Sequence, residues 1–172
     1  MTALPSPRAG MVRLIIDTDT AGDDVTSLLI GLLHPNAQLD AITICCGNVR
    51  FEQEIENALY TVEMAGRGGE VPVYVGCGEP LIAEWEGAEY VHGQDGMGDS
   101  FFPQAKQRPE PEHAVDEIVR RINEAPGELT ILAQAPLTNI AAAVIRDPSI
   151  TQKVAHLYVM GGGIGNITPP IT

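Results

Sequence analysis

Leu14-Ile15-Ile16-Asp17-Thr18-Asp19-Thr20-Ala21-Gly22-Asp23-Asp24 is the stretch whose reading decides the fold. The apolar run Val12 to Ile16 that leads into it has the length of one buried strand. Val25-Thr26-Ser27-Leu28-Leu29-Ile30-Gly31-Leu32-Leu33, which follows, has apolar spacing suited to a buried helix. Between them lie Asp17, Asp19, Asp23 and Asp24, in a turn that contains Gly22. Carboxylates so close together repel, and they stay ionised only where water, backbone N–H groups or a cation neutralise them. The helix N-terminus offsets part of the charge, and a hard divalent ion held by oxygen ligands would offset more. A single Asp here would be read as a helix cap. A cluster at the end of an apolar strand points instead to a metal site, because strand-end loops carry the sites of open α/β sheets.

Working outward, a chain of 172 residues suits one domain with a sizeable core. A hydrophobic content of 44% against 19% charged residues fits a folded protein rather than a disordered one. The net charge of -13 argues against nucleic-acid partners and against anionic membranes. No apolar run is long enough to span a bilayer. Residues 1–11 read as a flexible tail without the apolar core of a signal peptide, and residues 12–172 read as the folded domain. Cys45, Cys46 and Cys77 lack metal-binding spacing, so a reducing cytoplasm is the expected compartment.

Along the chain, strand and helix alternate. His34-Pro35-Asn36 stops the first helix, and Ala41 to Cys46 is a second β-prone run ending at Gly47-Asn48. Ile55, Ala58, Leu59, Val62 and Ala65 share a helical face, with Glu52, Glu54 and Glu56 near the start, where the helix dipole favours them. Val71 to Val75 is a third strand. From Gly76 to Pro111 the periodicity fails, which marks a functional or disordered loop, and His92 lies in its Gly-rich part. Val115, Ile118, Val119 and Ile122 give another amphipathic helix, Leu129 to Ala133 a fourth strand, Ile140 to Ile145 a helix, and His156 to Met160 a fifth strand. This pattern predicts an α/β fold: an open, mostly parallel sheet with helices on both faces. Asp19, Asp23, Asp24, Asn48, Thr138 and Asn166 all follow strands, so one sheet edge would gather them into one site.

The chemistry of that site is limited by its donors. Carboxylates, amides and hydroxyls favour Ca²⁺ or Mg²⁺ over zinc. A held ion lowers the pKa of a water while a neighbouring Asp takes the proton, and amides suit a polyhydroxylated substrate such as a sugar. Hydrolysis at a sugar carbon passes through an oxocarbenium-like state that anionic and amide groups stabilise. The run Gly161-Gly162-Gly163-Ile164-Gly165 lacks the Lys and Ser/Thr of a P-loop and reads as a tight turn. Cys45 and Cys46 read as small core residues, and His34, His113 and His156 as structural or exposed. The loop of His92 is placed to close over the site.

Asp17-Thr18-Asp19-Thr20-Ala21-Gly22-Asp23-Asp24 resembles the Asp-x-Asp-Pro-Gly-x-Asp-Asp signature of the nucleoside hydrolases, the inosine–uridine-preferring ribohydrolases. The resemblance recurs in order at Gly47-Asn48, His92-Gly93, Pro136-Leu137-Thr138-Asn139, and Met160-Gly161-Gly162 followed by Gly165-Asn166-Ile167-Thr168-Pro169. It implies a Rossmann-like fold and a Ca²⁺-dependent, homo-oligomeric hydrolase that splits a ribonucleoside into base and ribose. By the same resemblance Asp19, Asp24 and the Thr138 carbonyl would hold Ca²⁺. Asp19 would also be the catalytic base toward a metal-bound water. Asp23 and Asn48 would bind ribose hydroxyls, Asn166 would reach the 5′ side, and His92 would join the substrate-binding set.

The chain departs from the family at three places. Thr20-Ala21 replaces Pro-Gly, Ala135 replaces the Gly before Pro136, and the ribose-gripping Glu position falls on Thr172. Family members are considerably longer, so the resemblance covers the N-terminal part of the domain and leads us to expect weak or absent catalysis by these residues alone. Two other readings stand beside this one. One is a non-catalytic calcium- or ribose-binding, or oligomerising, module of the same fold. The other is a haloacid-dehalogenase-type phosphatase with Asp17 as nucleophile and Mg²⁺ as metal, for which Lys106 and Lys153 are poorly placed.

Overall fold

Val12–Thr18 form β1, the middle strand of a five-stranded sheet in a computed structural model that describes residues 10–162. It is followed by α1 (Gly22–Leu33), β2 (Ala37–Ile44), α2 (Phe51–Met64), β3 (Val73–Val75) and the short α3 (Glu89–His92). Then come α4 (Ala114–Glu124), β4 (Leu129–Ala133), α5 (Thr138–Arg146), a 3₁₀ turn (Pro148–Gln152) and β5 (His156–Val159). All four pairings are parallel, in the order β3-β2-β1-β4-β5. The sequence direction therefore reverses beside β1, between β1 and β4, where open α/β sheets bind ligands.

Side-chain alternation along β1 divides the core in two. Ile15 packs with Ile118 and Ile122 of α4 and with Ile140 and Ala143 of α5. Ile16 packs on the other face with Leu28 and Leu32 of α1 and with Leu59 and Val62 of α2. Helices thus cover both faces, as the near-continuous apolar strands require. The approach of α1 to the sheet is close: a Cβ on Gly31 would fall 2.8 Å from Cδ1 of Ile16. At the far edge, β5 exposes Leu157, Tyr158 and Val159. Among the described residues, no helix is long and apolar enough to cross a membrane.

Two expectations gain detail. The segment from Gly76 to Pro111, which reads as a functional or disordered loop, has internal structure. It contains α3, and the buried Asp95 accepts the N–H groups of Met97, Asp99 and Phe101. Its far end returns to the sheet, where Glu110 N–H donates to Val73 O at 2.8 Å. The three glutamates of α2 do not serve only its dipole. Glu54 is fully buried, and Glu56 accepts the N–H of Ala105 from that loop.

Because Ile15 and Ile16 serve opposite faces, Ile15→Ala and Ile16→Ala should each lower unfolding free energy by about 2–5 kcal/mol in urea titrations. Ile82→Ala, at a fully exposed side chain, should stay within about 0.5 kcal/mol.

Candidate active site

β1 runs beyond its apolar stretch and, with the turn into α1, brings Asp17, Asp19, Asp23 and Asp24 to the carboxyl edge of the sheet. Asp17, still in β1, is completely buried. Its Oδ1 accepts Thr43 Oγ1 from β2 at 2.6 Å and Asn139 Nδ2 from α5 at 2.8 Å. It has no exposed surface, so it is not presented to a substrate as the nucleophile of the phosphatase reading would have to be. Lys153 is likewise occupied elsewhere, donating to Asn123 and Ser149. Asp17 is a tie between β1, β2 and α5.

Asp19 and Asp24 lie together beyond β1, each almost wholly buried. Asp24 lies in the first turn of α1, where its Oδ2 accepts Ala21 N–H at 2.9 Å and Asn48 Nδ2 at 3.3 Å. Its Oδ1 accepts Gln134 Nε2 at 2.7 Å. Asp24 is therefore a cap as well as a member of the cluster. The same Asn48 amide donates to the Asp19 carbonyl at 3.2 Å, so Asn48 spans both residues. Asp19 Oδ1 is buried and has no hydrogen-bond partner among the described residues. Its Oδ2 lies so close to Gly47 that a Cβ there would stand 1.9 Å away. Only glycine leaves room for this carboxylate.

The other expected residues lie around this pair. Asp23 is exposed, with its Oδ1 3.8 Å from His92 Nδ1. The loop carrying His92 is held against the turn by the bond from Gly22 N–H to Gly96 O and by Asn57, whose Nδ2 donates to both Thr20 O and Asp95 O. Thr138 is buried at the first residue of α5, beyond β4. Among the described side-chain hydrogen bonds, it makes none to Asp19 or Asp24. Asn166 lies outside the described residues.

Four contributors escaped the sequence reading. Gln134 fixes Asp24 and also contacts Thr18 and Ser27. Glu54, Asn57 and Asn139 hold backbone around the site. Asn139 was visible only as part of Pro136-Leu137-Thr138-Asn139; the others carried no motif at all.

Burial of these acids dominates the electrostatics. It pushes Asp19 up to about 8, with repulsion from Asp24 adding to the effect. Burial raises Asp24 and Asp17 to about 6, against the hydrogen bonds that favour their charged forms. Glu54 rises to about 8 by burial, with Asp19 contributing repulsion. Burial also raises the Cys45 and Cys46 thiols, which keeps them protonated core residues. Among the described residues, no Lys or Arg pairs with Asp17, Asp19 or Asp24. No three His, Cys, Asp or Glu side chains among them converge at metal-holding spacing. The orphaned Asp19 oxygen and an all-oxygen donor set nevertheless fit a hard cation better than any soft one.

The family described as inosine-uridine preferring nucleoside hydrolase has a sequence profile that matches residues 14–171. A probable uridine nucleosidase 1 from Oryza sativa subsp. japonica is 40% identical over 161 residues, covering 91% of this chain and 49% of that protein. An inosine-uridine preferring nucleoside hydrolase from Leishmania major is 36% identical, covering 91% and 51%. Among solved structures, a plant nucleoside hydrolase superposes with a TM-score of 0.84 at 38% identity, covering 88% of this chain and 48% of its own. A purine-preferring ribonucleoside hydrolase from Gardnerella vaginalis gives 0.83 at 34% identity, covering 88% and 49%. The chain spans about half the length of the curated relatives it matches.

The raised acids set the sign of the pH dependence. A folded-state pKa above the unfolded value means that the folded chain binds the proton more tightly, so stability falls as pH rises. That contribution is complete below about pH 4. It is lost as pH rises through about 6 for Asp17 and Asp24 and about 8 for Asp19 and Glu54. Without divalent ions, thermal melts should therefore show Tm falling from pH 5 to pH 8. Asp19→Asn should flatten the slope.

Proposed function

The chain belongs to the inosine-uridine preferring nucleoside hydrolase family, and from that membership and the site geometry we propose that it carries the carboxylate side of a Ca²⁺-dependent nucleoside hydrolase site. The reaction is hydrolysis of the N-glycosidic bond of a ribonucleoside to free base and ribose. The observation that carries this reading is Asp19: buried, with one oxygen unpartnered among the described residues, beside an Asp24 whose three hydrogen-bond donors, Ala21 N–H, Asn48 and Gln134, are all uncharged.

Asp19 and Asp24, with the Thr138 carbonyl, would hold Ca²⁺, which when bound offsets their charge and makes a water easier to deprotonate. Asp19 Oδ1, the unpartnered oxygen, takes the proton from the attacking water. Water adds its oxygen to the anomeric carbon as the C–N bond breaks, and that bond's electron pair leaves with the base, which takes a proton from solvent water. Asn48 and Asp23 bind the ribose hydroxyls, and the carboxylates stabilise positive charge developing on the sugar. By the family resemblance, Asn166 would bind the 5′ side of the ribose. His92, 3.8 Å from Asp23, joins the substrate-binding set. Uridine and inosine are the first substrates to try, since both appear in the names of the relatives.

The test is ribose release from uridine and inosine by the purified chain, in Ca²⁺ and in chelator. Release, weak for a chain that spans about half the length of its relatives, should require Ca²⁺, and Asp19→Ala should slow it by about 10²–10⁴-fold. Gly47→Ala should reduce it comparably, since the added methyl displaces the Asp19 carboxylate. Absence of release from folded protein would overturn the catalytic reading, and Ca²⁺ binding without release would identify a binding module.

A further inference from the structure

Glu54 has no role in the reading above, yet it is the fully buried acid closest in connectivity to Asn48. It lies in the first turns of α2 at 0% exposure. Its Oε1 accepts two backbone donors, Gly47 N–H at 3.1 Å and Val49 N–H at 3.0 Å. These two peptides flank Asn48. An ordinary capping-box Glu returns to the N–H of its own N-cap. Here the N-cap is Arg50, and the carboxylate reaches past it to residues outside the helix.

The carbonyl side of the same turn is held differently. Gly47 O accepts Trp85 Nε1 at 3.0 Å, and Asn48 O accepts Ala88 N–H, both donors coming from the long loop. Trp85 is itself partly exposed. Glu54 is thus the buried anchor of a turn whose other anchors belong to a surface segment. The turn has little freedom toward the cluster, because Gly47 already touches Asp19.

We propose that Glu54 is a positioning residue: by fixing the peptides on both sides of Asn48, it aims the Asn48 amide at Asp24 and at the Asp19 carbonyl, and so presents Asn48 to ribose. The ribose part of this rests on the reading of Asn48 given above. Gln at this position keeps the accepting oxygen, whereas Leu keeps bulk and loses it. Asp shortens the reach by one methylene and keeps the charge.

Two measurements on the full chain test it. The first is the side-chain amide signal of Asn48 in ¹⁵N-resolved NMR, assigned by its loss in Asn48→Ala. It should keep its position in Glu54→Gln and move to the solvent-exposed range in Glu54→Leu, or in Glu54→Asp if Glu54→Leu does not fold. The second is calorimetric affinity for D-ribose in Ca²⁺. Glu54→Leu should weaken it by about tenfold and Glu54→Gln by less than about threefold, while in an Asn48→Ala background Glu54→Leu should cost less than about twofold. An unmoved Asn48 signal in Glu54→Leu or Glu54→Asp overturns the proposal. An equal loss of affinity in both backgrounds does so too, since it reveals a general structural role. If the wild-type chain binds no ribose while the Asn48 signal moves as expected, the positioning role stands and the ribose reading falls.

Discussion

A carboxylate withdrawn from water must be hydrogen-bonded or paired with a cation, because its uncompensated burial costs several kcal/mol. This protein buries Asp17, Asp19, Asp24 and Glu54 in one region at the end of its central strand. The fold around them is largely an arrangement of donors. Thr43 comes from β2, Asn139 from α5, Gln134 from the end of β4, Asn48 from the turn after β2, and the Ala21 N–H from the start of α1. Each donor belongs to a different element, so satisfying the acids also ties the elements to one another. The donors do not complete the task. Among the described residues, Asp17 Oδ2, Asp19 Oδ1 and Glu54 Oε2 remain unpartnered.

The sheet order explains why the acids can collect there. With β2 on one side of β1 and β4 on the other, the chain leaves toward α1 and α2 on one face and toward α5 on the opposite face. The loops after β1, β2 and β4 therefore open into a common crevice. Asp17 serves this arrangement from below: its links to Thr43 and Asn139 join strand, strand and helix under the crevice floor. Asn57 does the same from above, bonding Thr20 and Asp95 and so fastening the long segment to the β1–α1 turn. His92 reaches Asp23 because of that fastening, and not through any local helix geometry of its own.

The layers were legible in the sequence because apolar alternation reports burial. The fourth strand, Leu129 to Ala133, has the bounds its composition implies. The first strand reads as ending at Ile16, yet it continues to Thr18. Apolar pattern cannot register a strand residue buried by hydrogen bonding, and Asp17 is such a residue. The first helix reads as beginning at Val25 but starts at Gly22, since Asp24 caps it from within. Glu54 reads only as a helix-start charge that the dipole favours, because which face it occupies shows only in the fold. Gln134 was silent altogether, because a lone Gln after a strand carries no spacing signal. The metal and ribose candidates were legible only as strand-end polar residues and through the family resemblance.

The turn that carries the aspartates departs from the family signature, and its geometry explains why the departure is tolerated. Where the signature has Pro-Gly, this chain has Thr20-Ala21. Ala21 sits at φ -116° and ψ -173°, an extended conformation open to any L-residue, so no glycine is required. What the turn needs at this position is an N–H, because that group donates to Asp24 Oδ2. What it needs one residue earlier is a carbonyl, which accepts Asn57 Nδ2 at 3.0 Å. Thr supplies the carbonyl as well as Pro would, and its buried hydroxyl adds a contact to Thr18 at 3.3 Å. The signature is thus satisfied through its backbone, and the spacing from Asp19 to Asp24 that a cation and a sugar would depend on is preserved.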